Sequence, residues 1–154
     1  MRALHLIVGA FLFGLLAGGG MWASMEIGSW LFPHSVFGNY IAPLWAGVVT
    51  TIVAIPVGFL FVGLMACLFS SQRLPQLLLT AVLLITPVAI GLYGLDMREA
   101  RPILDASSGS EYMNPDLVRD TYGDVLLRAL LTTLPAALVT TAWLAGRFRE
   151  SRQT

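Results

Sequence analysis

The sequence has no lysine, one cysteine and two histidines, and only 12% of its 154 residues are charged. Each scarcity removes a class of reading. Cys67 alone cannot close an intrachain disulfide, and one thiol does not make a metal site. His5 and His34 are expected at opposite faces of a membrane, so they cannot share a metal within one protomer. Neither stands in a His-x-x-x-His or His-x-x-Glu pattern, and Cys-x-x-Cys is absent. There is no Gly-x-Ser-x-Gly elbow. The one glycine run, Gly18-Gly19-Gly20, closes an apolar stretch rather than following a strand as a phosphate loop does. No cofactor, metal or catalytic residue is expected, and a self-contained enzyme is disfavoured. All nine basic residues are arginine, the formal net charge is zero, and no basic stripe marks a nucleic-acid partner.

What fills the chain instead is apolar, at 56% of residues, with 15 glycines. A soluble domain carries roughly 25% charged residues, because a small globule still has to cover its surface with polar groups. The charges present are clustered at the termini, at Arg73, and between Asp96 and Arg128. Between them lie four stretches that meet the roughly 20 helical residues needed to cross a bilayer core of about 30 Å. They run over 4–23, 43–69, 74–95 and 125–146, with no Asp or Glu in their central turns. The expected fold is an all-α membrane protein, one domain of four transmembrane helices in an up-down bundle. The short 70–73 turn makes the second and third helices antiparallel neighbours. Arg2, the apolar run 4–16 and the small Gly18 and Gly20 also fit a cleaved signal peptide, but the run continues through Trp22 and Ala23 to spanning length.

Two segments lie outside these helices. The 24–42 segment carries Trp30, Phe32, Phe37 and Tyr40, flanked by Trp22 and Trp45, and reads as a turn along the outer interface. In the 96–123 loop, Asn114, Pro115 and Asp116 make an N-cap, an N1 proline and a first-turn acid. They predict a short helix ending near Gly123, after a flexible 107–110 stretch. Asp124 then caps the fourth helix and pairs with Arg128 four residues on, whose stem snorkels outward. Arg2, Arg73, Arg147, Arg149 and Arg152 lie hard against helix ends on one side. Arg98, Arg101, Arg119 and Arg128 fall on the other, which orients both termini to the cytoplasm of a bacterial inner membrane.

Two sets of residues are candidates for function. Glu26, His34, Asp96 and Arg98 fall near the predicted outer boundary, where they can form a polar site or simply be solvated charges. Small residues recur every four positions as Ala10, Gly14 and Gly18, and as Ala129, Thr133, Ala137 and Thr141. Such stripes allow close backbone approach, within the bundle or against a partner subunit. Each of the last three helices has an interior proline near threonines: Pro56 with Thr50 and Thr51, Pro87 with Thr86, Pro135 with Thr132 and Thr133. A threonine hydroxyl or a neighbouring helix can satisfy the carbonyl that each proline frees. The leading expectation is a non-enzymatic accessory or scaffold subunit that contacts lipid and other proteins or self-associates. The alternatives are a transporter or channel protomer and an outer-face enzyme acting on a lipid or quinone.

Overall fold

The computed structural model describes residues 2–37, 42–68, 74–108 and 115–150. They form four helices: α1 (Arg2–Leu31), α2 (Pro43–Leu68), α3 (Leu74–Ser108) and α4 (Pro115–Glu150). Each is long and apolar enough to cross a membrane. Proline opens or nearly opens three of them (Pro43, Pro75, Pro115), at positions where its missing N–H has no intrahelical partner in any case.

Three of the four helices run longer than hydropathy predicts. The fourth helix begins at Pro115, as the sequence motif indicates, but does not stop at Gly123. There is no separate short helix among the described residues; that segment and the fourth span are one rod of 36 residues. Gly123 serves a different purpose from termination. A Cβ there would run into the ring of Phe32, so the missing side chain is what lets Phe32 lie against α4. Likewise 24–31, expected as an interfacial turn, is the last two turns of α1. Its final carbonyl contact is Phe32 N–H to Gly28 O at 2.8 Å, and Pro33 cannot continue the pattern. Helix α3 runs on past Leu95 and through Pro102, because Met97, Ala100 and Leu104 keep an apolar stripe at helical spacing against α4. Tyr40, Gly109, Ser110, Asn114 and the 70–73 turn lie outside the described residues.

The dominant contacts run α2 to α1, α1 to α4, and α4 to α3; α2 and α3 touch only sparsely despite their short connection. The reason is written in glycine. A Cβ on Gly58 would lie 2.8 Å from the Ala10 carbonyl oxygen, and one on Gly14 3.0 Å from that of Thr51. Gly18 and Gly47 face each other in the same seam. Backbone approach this close adds dispersion along the whole length, and only α1 offers α2 such a surface. On the other side α1 meets α4, with Gly9 beside Trp143, Gly20 against Leu131 and Phe32 on Gly123. In both seams rising numbers on α1 meet falling numbers on the partner.

The larger core cluster draws on all four helices: Phe13 and Ala17, Phe61 and Met65, Leu77 and Ile85, Ala136 and Leu144. This sets the starts of α1 and α3 beside the ends of α2 and α4. At the opposite end a smaller core of Met97, Ala100, Leu104 and Val125 joins α3 to α4, with Val36 and Phe37 packed on it.

Candidate functional site

The polar chemistry gathers where the 32–37 segment crosses α3 and α4. Asp120, Thr121, Asp124 and Arg128 follow one another along one face of α4, and all four are buried. Three of them hold the crossing segment. Asp120 Oδ2 accepts the His34 backbone N–H at 3.3 Å, and Thr121 Oγ1 accepts that of Val36 at 3.1 Å. The Ser35 hydroxyl donates to Asp124 Oδ2 at 2.8 Å and itself accepts the Phe37 N–H at 3.2 Å. A loop folded onto a helix needs partners for its amides, and a carboxylate is a stronger acceptor than a neutral oxygen.

Arg128 occupies the centre. Its guanidinium lies 3.6 Å from Asp124 Oδ2 on its own helix and 3.7 Å from Asp96 Oδ2 on α3. The Phe37 ring covers it at 4.4 Å from guanidinium carbon to ring centroid. The expected outward snorkelling does not occur, since the Arg128 side chain is only 7% exposed. A neighbouring carboxylate on α3 and an aromatic lid give the cation better company than the solvent edge, so the side chain stays in. On the rim, Arg119 is exposed and bridges Asp116 and the buried Asp120, at 3.2 and 3.1 Å. The cluster therefore ties three segments, 32–37, α3 and α4, through charge as well as packing.

Of the four residues proposed for an outer-face site, only Asp96 brings its side chain to this cluster; His34 joins it through its backbone N–H alone. Glu26, His34 and Arg98 have exposed side chains, and no hydrogen bond or ion pair among the described residues joins them to Asp96. Asp120 and Thr121 are the residues that sequence reasoning missed. The signal available was helical spacing: 117, 120, 121, 124 and 128 lie on one face. The two small-residue stripes lie within the chain's own packing. Ala10, Gly14 and Gly18 form the α2 seam, and Ala129, Thr133, Ala137 and Thr141 are buried in the bundle.

Of the two partners expected for the proline-freed carbonyls, a threonine hydroxyl or a neighbouring helix, the threonine hydroxyls turn elsewhere. Thr51, Thr86 and Thr133 donate to the carbonyls of Gly47, Val82 and Ala129, each four residues earlier. The carbonyls that Pro56, Pro87 and Pro135 free are instead those of Ile52, Leu83 and Leu131. In α4 the freed Leu131 oxygen is directed at the backbone of Gly20. The hydrogen that glycine carries where other residues have Cβ points at that oxygen, a weak C–H···O contact that only a glycine permits. Three other buried hydroxyls on α4, of Thr132, Thr140 and Thr141, have no hydrogen-bond partner among the described residues. No group of histidine, cysteine and acidic side chains able to hold a metal occurs among the described residues.

No known protein family, curated protein or solved structure matches the chain.

Proposed function

We propose that this protein is an integral component of a bacterial cytoplasmic membrane, inserted as an up-down four-helix bundle with both termini cytoplasmic. Within it the protein acts as a non-enzymatic scaffold or accessory subunit. Several features support the membrane setting. Leu44, Trp45, Val49, Ile52, Val53 and Leu60 of α2 are exposed, as are Leu79, Leu83, Ile90 and Leu95 of α3. An apolar surface of that extent is out of place on a water-soluble monomer. On α4, Arg128 and Arg147 stand 19 positions apart with no other charge between them. That separation is about 28 Å of helix, close to the thickness of a bilayer core.

The observation that carries the scaffold reading is the α3–α4 hairpin. Beyond the level of Asp96 and Arg128 both helices continue for about 18–20 Å, packed on a core of their own. The outward surface of this rod exposes Arg98, Glu99, Arg101, Ile103 and Tyr122. Mixed charge around an aliphatic and an aromatic side chain is the make-up of a protein-binding surface, and a rigid hairpin has little ordering cost on association.

Gentle extraction from native membrane, followed by mass spectrometry of the intact assembly, tests this. A stoichiometric protein companion is expected, lost on Arg101→Glu or Ile103→Asp. Recovery of the unaccompanied monomer sinks the reading. For orientation, Ala106→Cys in a Cys67→Ala background should react with a membrane-impermeant maleimide added outside intact cells. A second reading, a transporter or channel protomer, is favoured by three buried threonine hydroxyls, on the proline-containing α4, that have no partner among the described residues. Four helices enclose little volume, so such a path needs several copies. Flux in proteoliposomes that responds to Thr140→Val would support it.

A further inference from the structure

The end of the bundle opposite the hairpin has its own arrangement. Trp143 of α4 is half-buried, and α1 approaches it at Gly9, where a Cβ would lie 3.5 Å from the ring. One turn earlier on α1, the His5 ring stands 6.2 Å from the Trp143 ring at a 52° tilt. One turn later on α4, the Arg147 guanidinium lies 6.0 Å from the same ring. The indole thus has an imidazole and an exposed arginine beside it, from two different helices.

Charge at this end is one-sided. Arg2 opens α1, and Arg147 and Arg149 fall in the last turn of α4, with Glu150 the one acid among the described residues there; in the sequence Arg73 directly precedes α3 and Arg152 follows α4. Among the described residues at the other end, four arginines stand with seven acids. Arginine's planar fork matches the oxygens of a phosphate, and a tryptophan ring favours the headgroup layer, where one edge is apolar and the other wet. Arg147 also stands about one bilayer core from Arg128 along α4, at the depth where lipid phosphates lie.

We propose that Trp143, His5 and Arg147 form a seat for the headgroup phosphate of an anionic phospholipid, with the α1–α4 edge receiving its acyl chains. The proposal rests on the membrane reading above. The occupant is lipid rather than an acidic protein because the surface beside the cations is the exposed apolar side of α1, including Leu4, Ile7 and Val8.

The test uses the full chain in mild non-ionic detergent. It is offered equal amounts of phosphatidylglycerol and phosphatidylcholine with the same acyl chains, and retained lipid is read by native mass spectrometry. Phosphatidylglycerol should be retained about fivefold over phosphatidylcholine, the preference expected of one arginine at an anionic headgroup. Arg147→Gln should bring the ratio towards one, and Arg101→Gln, at the other end, should leave it unchanged. A wild-type ratio near one, or an equal fall in Arg101→Gln, overturns the proposal. Displacement of the lipid by millimolar inorganic phosphate overturns it too, since the seat would then be a free-anion site. Alkaline carbonate extraction separates the two failures. Protein released by carbonate refutes the membrane reading itself, whereas protein that stays with the membrane but retains both lipids equally refutes only the lipid seat.

Discussion

Replacing Gly20 with alanine adds one methyl group, and the structure specifies where it goes. The Cβ would fall onto the Leu131 carbonyl oxygen, 2.7 Å from the carbonyl carbon and 3.1 Å from Thr132 Cα. These are backbone atoms, so no rotamer change relieves the clash, and α1 has to move away from α4. Its neighbour provides the control, because a Cβ on Gly19 meets nothing within 4 Å. In an open helical position Gly→Ala gains up to about 1 kcal/mol from propensity. Forcing a methyl into a closed seam costs about 1–3 kcal/mol, and here the contact to the proline-freed carbonyl is lost as well. The two substitutions, adjacent and chemically identical, should therefore differ in stability by roughly 2–4 kcal/mol, with Gly19→Ala at or above wild type. The measurement is reversible unfolding in mixed micelles, titrating denaturing detergent into mild detergent and following helicity. Equal stability of the two variants would refute the α1–α4 register and the role assigned to Pro135 and Leu131.

Two further outcomes follow from the polar cluster. Arg128→Gln leaves Asp96 and Asp124 facing each other without their cation, and should cost about 3 kcal/mol in the same unfolding assay. Adding Asp124→Asn should recover part of that loss, and strict additivity of the two changes would argue against a coupled pair. Thr121→Val keeps the shape but removes the acceptor for the Val36 amide. Hydrogen exchange at 34–37 should accelerate by about tenfold, consistent with roughly 1–2 kcal/mol for an unmet buried donor, while the α2 amides keep their protection. Uniform acceleration along the chain would mean that the hydroxyl supports the whole bundle rather than this crossing.

Four apolar stretches, their starting prolines and the charged levels between them were legible in the sequence, because span length and hydropathy depend on local composition alone. The ends of the helices were not. Hydropathy stops at Leu95 and starts again at Val125, yet α3 and α4 continue to Ser108 and from Pro115, since once two helices pack, a narrow apolar stripe is enough to carry them onward. Gly123 shows the same limit. By itself a glycine before an aspartate reads as a helix boundary, and only the approach of Phe32, 91 residues away in the chain, gives it another meaning.

The sequence by itself determined that the chain has four helices suited to lipid, with small residues on α1 and α4 and an Asp124–Arg128 pair at the edge of the last span. It did so because each of these is a property of residues within one or two turns of each other. Tertiary structure decided which helices are neighbours: α2 takes α1 rather than α3, because complementary glycines lie only on that pair. Tertiary structure also turned Arg128 inward, by placing Asp96 and Phe37 beside it. A buried cation is tolerated when its partners arrive from other elements, and that arrival is not encoded at any single position.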